Sequence, residues 1–373
     1  MTERFIGLMS GTSLDGVDGV IAQWQDGRME VLQYASTGFA PELRAELLAL
    51  NSAGEHELHR AALAGNALAR SYAQVVDRLL ARSQLQPGDI TAIGAHGQTV
   101  RHQPGLWDAT GYTLQLNNPA LLAELSGITV VADFRSRDVA AGGQGAPLVP
   151  AFHHSVFGGA GALGSPRWVL NIGGISNISR LEGDDIRGWD CGPGNALMDH
   201  WCQLNTGEPY DDGGRWAASG QVIPALLAAF MEEPFFQLPP PKSTGRDLFN
   251  PAWLAPLLER HAPGAAPADV QASLAAFTAL AIAQDMQRHG AAEGQTLIVC
   301  GGGALNQHLL QRLADLLPGI AVDSSAEHGL PPVQVEASAF AWLARQCWQS
   351  LPGNLPAVTG ARGPRVLGAI YPR

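Results

Sequence analysis

The chain has 373 residues, beyond the ~250–300 at which one hydrophobic core usually stops growing, so two domains are expected. Hydrophobic residues make up 46% and charged residues 15%, against a disordered chain, and a net charge of −11 argues against nucleic-acid binding through a basic face. Ser10, Thr12 and Asp15 interrupt the first apolar segment before a signal-peptide core forms, and no apolar run reaches the ~18–20 residues of a membrane span. Cys191, Cys202, Cys300 and Cys347 lie far apart without CxxC spacing, which disfavours a zinc site and points to a reduced, cytoplasmic setting.

In chain order, residues 5–10, 16–24 and 29–39 read as three strands joined by glycine-containing turns, the spacing of an antiparallel meander. A helix is expected between Leu58 and Ser83, where Leu68, Tyr72, Val75, Val76, Leu79 and Leu80 recur at three- and four-residue intervals. A buried strand at 90–95, ending in His96-Gly-Gln-Thr99, a helix Pro119–Ser126 and a strand at 128–133 make a crossover with parallel pairing. From Arg167 the opening recurs: strand 168–170, polar glycine turn 171–177, strand 178–181. An Ala-rich helix at 268–289, a strand Thr296–Cys300, Gly301-Gly-Gly303 and a helix at 306–316 follow. The expectation is a duplicated α/β fold of two lobes with a cleft between them, 1–132 plus 357–373 and 133–356, the last strand 366–371 returning to the first lobe.

Glycine-rich loops at strand ends aim backbone N–H groups at one anion, most often phosphate. Three such loops occur, at 11–18, 171–177 and 301–306, none with the P-loop pattern. Any one alone is explained as a tight turn, whereas three together point to a nucleotide, with Gly11, Thr12, Ser13, Leu14, Asp15, Gly16, Val17, Asp18, Gly173, Gly174, Asn177, Gly301, Gly302 and Gly303 as candidate contacts. Asp15 and Asp18 flank the first loop, where one or two carboxylates plus waters suit Mg²⁺.

Asp190, at the end of a short strand before Gly192-Pro-Gly-Asn195, is placed either to act as a general base or to cap its turn. Asp133, Arg135, His96, Gln98 and Thr99 fall at strand ends, where arginine forks suit carboxylates and aspartates suit sugar hydroxyls, although a lone histidine such as His96 is more often a satisfied structural residue than a ligand contact. Glu336 opens an apolar helix, where it serves the helix dipole or a site. His153-His154 lacks a third metal ligand and reads as structural. Lys242 is the only lysine in the chain, which either reflects chance or marks a place where a compact charge is wanted.

Several motifs together resemble one family nearly end to end: Phe5-Ile-Gly-Leu-Met-Ser-Gly-Thr-Ser-Leu-Asp-Gly-Val-Asp18, Gly94-Ala-His-Gly-Gln-Thr99, Asp133-Phe-Arg135, Gly142-Gly-Gln-Gly-Ala-Pro-Leu-Val-Pro150, Gly192-Pro-Gly-Asn195, Pro241-Lys-Ser-Thr-Gly-Arg246 and Leu355-Pro-Ala-Val-Thr-Gly-Ala361. They are similar to the anhydro-N-acetylmuramic acid kinases, of the actin, hexokinase and Hsp70 superfold with its ribonuclease-H-like halves. The resemblance implies an ATP- and Mg²⁺-dependent enzyme that opens 1,6-anhydro-N-acetylmuramic acid with water and phosphorylates O6, giving N-acetylmuramic acid 6-phosphate and ADP in cell-wall recycling. It puts the general base on Asp190, the ATP loop on residues 11–18 and a cleft glutamate on Glu336. No nucleic-acid or membrane partner is expected, and a homodimer is allowed.

Cys191 departs from the threonine usual after the family's aspartate, and Asn117 from a common glycine. Two rivals stand beside this reading: an actin- or Hsp70-like ATPase acting on a protein partner, and a glycoside hydrolase with Asp190 and Glu336 as paired carboxylates.

Overall fold

The computed structural model describes residues 3–11, 13–158, 166–245 and 248–373. The chain divides into two compact units, Met1–Val156 with Gln334–Arg373, and Phe157–Val333.

The first unit opens with β1 (Glu3–Met9), β2 (Gly16–Gln25) and β3 (Arg28–Gly38), followed by β4 (Ala92–Ala95), a hairpin of β5 (Gln98–Pro104) and β6 (Gly111–Leu116), and β7 (Val130–Ala132). β1, β2 and β3 pair antiparallel as expected, and the two-residue turn between β2 and β3 is Asp26-Gly27, both at positive φ (51° and 78°). β4 adds to β1 and β7 to β4, both parallel, and the chain's last strand, Ala369–Tyr371, closes the edge antiparallel to β7.

Alternation along β1 fixes which helix covers which face. Ile6 and Leu8 join the core made with Leu68, Tyr72, Val75 and Val76 of the helix Glu57–Ser83. On the other face, Gly7 and Gly94 admit the helix Val335–Trp348: a Cβ on Gly7 would stand 1.8 Å from Ala337 O, and one on Gly94 2.0 Å from Phe340 O. The crossover helix Pro119–Ser126 starts on an Asn118 cap, whose Oδ1 accepts from Leu121 N–H at 3.0 Å, and ends on Gly127 in the left-handed conformation before β7.

The second unit repeats the order. β8 (Arg167–Ile172), β9 (Ile175–Glu182) and β10 (Asp185–Pro193) pair antiparallel, then β11 (Thr296–Cys300) adds parallel to β8 and β12 (Ala321–Ser324) parallel to β11. Three antiparallel strands extended by two parallel ones therefore occur in both units, β3-β2-β1-β4-β7 and β10-β9-β8-β11-β12. The protein is a duplicated ribonuclease-H-like α/β fold.

The units part at 156/157 and 333/334, where the sequence suggested 132/133 and 356/357. The reason is tertiary packing. The helix Val335–Trp348 rests on β1, β2 and β4, and Asp138 accepts from Asn354 Nδ2 and Thr359 Oγ1 at 2.6 and 2.8 Å, tying residues after β7 to the C-terminal segment.

Candidate active site

In the first unit β1 ends at Met9 and β2 begins at Gly16, so the first glycine loop is shorter than the 11–18 read from the sequence. Gly16, Val17 and Asp18 are strand residues, and Val17 is buried in the core. Thr12 lies outside the described residues. Ser10 anchors the loop's entry: its Oγ lies 3.0 Å from Tyr72 OH and donates to Gly97 O at 3.1 Å, while Gly97 N–H donates to Tyr72 OH. Leu14, at φ 57°, buries its side chain with Leu47, Leu50, Ala64 and Val100, so the loop is held by its one apolar residue. That leaves Asp15 exposed, with Ser13 Oγ donating to it at 2.8 Å.

The same unit brings the strand-end cluster to this loop. Gln98 Nε2 donates to Gly11 O at 3.1 Å, and His96 Nδ1 stands 3.3 Å from Ser10 O. Arg135 donates to His96 Nε2 from Nε (3.2 Å) and Nη2 (2.9 Å), and to Gly145 O from Nη1 (2.8 Å). Burial first, and the neighbouring guanidinium second, hold the His96 imidazole neutral, well below its usual range. Thr99 Oγ1 accepts from Gln115 Nε2 at 3.2 Å, and Asp133, exposed at φ 61°, faces Ser136 N–H at 3.4 Å.

Asn117, which departs from the family's common glycine, lies at the end of the β5–β6 hairpin. Both polar atoms of its buried amide, and Oε1 of the buried Gln98, have no hydrogen-bond partner among the described residues. Leu116, beside Asn117, pairs with Gln98 across β5 and β6, so the orphaned groups share one end of the hairpin. Such groups ask for a polar guest or water, and an amide-bearing, polyhydroxylated sugar has the donors and acceptors to meet them.

In the second unit the turn between β8 and β9 is Gly173-Gly174 alone, because Asn171 lies on β8 and Asn177 on β9, directly opposite it. The turn's carbonyls receive the start of the helix Ala196–Thr206: Asn195 N–H reaches Gly173 O at 2.8 Å, and Gly194 N–H reaches Gly174 O at 3.0 Å. Gly301, at φ 79°, sits against the same place, where a Cβ would stand 2.4 Å from Asn171 Oδ1. A Cβ on Gly302 would meet only Asn195 Nδ2, at 3.7 Å. The 173–174 turn, residues 194–195 and Gly301 thus come together, with the Asn171 and Asn195 side chains packed among them.

Asp190 lies within β10 and not at a strand end as the sequence suggested, because the strand runs on to Pro193 through a bulge: it faces Asn177, and the β9–β10 register shifts between Asp190 and Gly192, at Cys191. Its Oδ2 accepts from Ser243 Oγ and Thr244 N–H, both at 2.9 Å, and its own N–H donates to Lys242 O at 3.1 Å. Cys191 is fully buried, and burial pushes its thiol well above the usual range, so it is not a nucleophile here. Lys242 is buried too, its Nζ 2.8 Å from Asp285 Oδ1. Glu336 is half-buried in the first turn of the helix Val335–Trp348 and belongs to the first unit, whereas Asp190 belongs to the second.

For a divalent cation the protein offers Asp15 and Asp18. Tyr34 OH donates to Asp18 Oδ1 at 2.5 Å, and burial raises the Asp18 carboxyl above its ordinary value. No group of three or more His, Cys, Asp or Glu able to hold a metal occurs among the described residues. Two carboxylates fit Mg²⁺ carried on a nucleotide, which keeps most of its waters and phosphate oxygens, and not an ion caged by protein alone.

A twice-repeated ribonuclease-H-like unit, each opening on a glycine turn with a carboxylate beside it, is the architecture of the actin- and hexokinase-type phosphotransferases. The profile of the anhydro-N-acetylmuramic acid kinases matches residues 3–373, and the chain belongs to that family. It is 64% identical to the anhydro-N-acetylmuramic acid kinase of Variovorax paradoxus (99% of each chain) and 61% identical to that of Cupriavidus pinatubonensis (100% of this chain, 99% of the other). Among solved structures, the activator of 2-hydroxyisocaproyl-CoA dehydratase from Clostridium difficile aligns over 93% of this chain and 98% of its own at 12% identity and a TM-score of 0.47. A ROK family glucokinase from Streptomyces griseus, in complex with glucose and AMPPNP, aligns over 92% and 99% at 13% identity and a TM-score of 0.41.

Proposed function

We propose that this kinase consumes ATP and water to convert 1,6-anhydro-N-acetylmuramic acid into N-acetylmuramic acid 6-phosphate and ADP, with Asp190 as general base. The observation that carries the assignment is the Asp190 carboxylate, at the β10 bulge opposite Asn177, with two donors fixed on Oδ2. A carboxylate so held has its orientation set before substrate arrives, as a general base requires.

In this scheme water adds to the anomeric carbon, its proton passes to Asp190, the C1–O6 bond breaks and O6 takes the γ-phosphoryl group. Phosphoryl transfer asks the protein for positioning and charge stabilisation, which the glycine turns and the loop ending at Asp15 supply. Mg²⁺ bound with ATP would neutralise charge developing on the phosphoryl oxygens, held by Asp15 and Asp18. Arg135, held by His96, binds the sugar's carboxylate; Gln98, Thr99 and Asp133 bind its hydroxyls and amide. A cytoplasmic role in cell-wall recycling is supported by four cysteines of which no two form a disulfide. No helix among the described residues is long and apolar enough to cross a membrane.

The test is to follow the anhydro-sugar and ADP with and without ATP·Mg²⁺. The sugar is expected to disappear only when ATP is present, with one ADP per sugar. Sugar loss without ATP would make the protein a glycoside hydrolase. ATP hydrolysis indifferent to the sugar would make it an actin- or Hsp70-like ATPase.

A further inference from the structure

The only lysine of the chain lies in the interior, and its charge is matched by one carboxylate. Lys242 and Asp285 have side chains 2% and 4% exposed, with Nζ 2.8 Å from Oδ1, and Nζ also lies 4.9 Å from the centroid of the Phe235 ring. The second oxygen of Asp285 accepts the indole N–H of Trp189. Trp189 directly precedes Asp190 in β10, and the backbone of Lys242 receives Asp190 N–H. The contacts therefore close a ring: Asp190, the 242 backbone, the lysine side chain, Asp285, the Trp189 indole and back along the chain to Asp190.

A buried ion pair is weak evidence for stability, since desolvating two charges offsets most of their attraction. What such a pair does supply is direction, because each charge has one low-energy place to be. Here the direction is passed to residues 242–244, whose Ser243 hydroxyl and Thr244 N–H hold the Asp190 carboxylate. Asp285 is fixed in turn by the long buried helix Pro267–Arg288 and by Trp189, packed edge-on against Trp168. Arginine would not substitute: its planar fork carries five N–H donors where the pocket offers one carboxylate oxygen and a ring face.

The geometry points to Lys242, paired with Asp285, as a positioning residue that sets the orientation of the Asp190 carboxylate through the 242–244 segment. The inference rests on the reading of Asp190 as general base. It predicts that disturbing the pair lowers turnover while leaving substrate binding in place.

Removing one charge alone leaves the other buried and unmatched, so the informative variant is the neutral double substitution Lys242→Met with Asp285→Asn, in which the asparagine still accepts from Trp189. Lys242→Arg, which keeps the charge and changes its shape, is the second variant. For each, unfolding temperature is measured first, then kcat and KM for 1,6-anhydro-N-acetylmuramic acid and for ATP. The expected result in a folded variant is kcat lowered about tenfold to a hundredfold, as for ~1 Å misplacement of a reacting group, with both KM values within about twofold. Wild-type kcat in either folded variant overturns the inference, and so does a loss confined to KM or to stability. Asp190→Asn, assayed alongside, separates the two claims: if it retains turnover the general-base reading fails, and if it is inactive while the folded pair variants are not, only the positioning role fails.

Discussion

Arg135 donates from Nε and Nη2 to one acceptor, Nε2 of His96, at 3.2 and 2.9 Å. That acceptor exists in a neutral imidazole with its proton on Nδ1, and Ser10 O, 3.3 Å from Nδ1, accepts that proton. His96 is thus a strut for the arginine and the loop, not a proton shuttle. His96→Leu should raise KM for the anhydro-sugar about tenfold or more, the scale of a lost hydrogen bond to a charged group, and leave KM for ATP within about twofold. His96→Gln, which can still accept from Arg135, should lose less. Steady-state kinetics decide, and an unchanged sugar KM in His96→Leu would take both residues out of the sugar site.

His153 gives the first unit a dependence on pH. Burial alone brings its imidazole down to about 3, from an unfolded value near 6.5. As pH falls below about 6.5 the unfolded chain takes up a proton that the folded chain refuses, so stability present above that pH is lost progressively towards pH 3. One such histidine accounts for up to ~1.4 kcal/mol per pH unit. Urea unfolding of wild type and His153→Leu at pH 6.5 and 5.0 should therefore show the wild type losing about 1.6 kcal/mol more than the variant over the interval. Parallel losses would mean that His153 is protonated in the folded state.

The glycines of 301–303 are not equivalent. Gly301 is at φ 79° and its Cβ would stand 2.4 Å from Asn171 Oδ1 and 2.7 Å from Ile172 O, whereas a Cβ on Gly302 would make only an ordinary contact with Asn195 Nδ2 at 3.7 Å. Gly301→Ala combines backbone strain with collision against β8 and should cost about 2 kcal/mol or more. Gly302→Ala should leave the unfolding temperature unchanged within about a degree, so any drop in ATP affinity it shows, read by calorimetry, reports a nucleotide approaching that backbone. Unaltered affinity in a stable Gly302→Ala would place the phosphates elsewhere.

Local signals in the sequence carried the meander, the crossover and the duplication, because Asp26-Gly27, the 3.6-residue pattern of 57–83 and the capped helix Pro119–Ser126 each act within a few residues of themselves. The hairpin of β5 and β6 was not legible: β5 has Val100 as its one aliphatic side chain, and β6, although Tyr112, Leu114 and Leu116 alternate with Thr113 and Gln115, exposes Tyr112 and Leu114 and buries Thr113, the reverse of an amphipathic core strand. The unit boundary was also hidden, since nothing within 335–348 says that this helix packs on glycines of β1 and β4. Of the candidate site, Asp190 could be found from its glycine-rich surroundings, while its holder could not. Lys242 stands out as the chain's one lysine, but its partner Asp285 sits in an apolar helix far along the chain, and only the fold brings them within 2.8 Å.

Asp18 offers a test of whether a carboxylate is kept for function against its own stability. Burial, the largest cause, and the nearby Asp15 raise its carboxyl, while the Tyr34 hydroxyl opposes them. A raised folded value means that the contribution is fully present below the unfolded value near 3.9 and is lost as pH rises through the folded one, so at pH 7 the charged Asp18 is a net cost. Asp18→Asn keeps an oxygen for Tyr34 and removes that charge. Its unfolding temperature at pH 7 should equal or exceed that of wild type, and the advantage should vanish towards pH 4. If Asp18 holds Mg²⁺ with ATP, the same variant should need at least tenfold more Mg²⁺ for half-maximal turnover, about the loss expected when a charged ligand becomes neutral. Titrating Mg²⁺ at saturating ATP measures this. A variant as stable as wild type with an unshifted Mg²⁺ requirement would assign Asp18 to the strand and Tyr34 alone, leaving Asp15 to carry the ion.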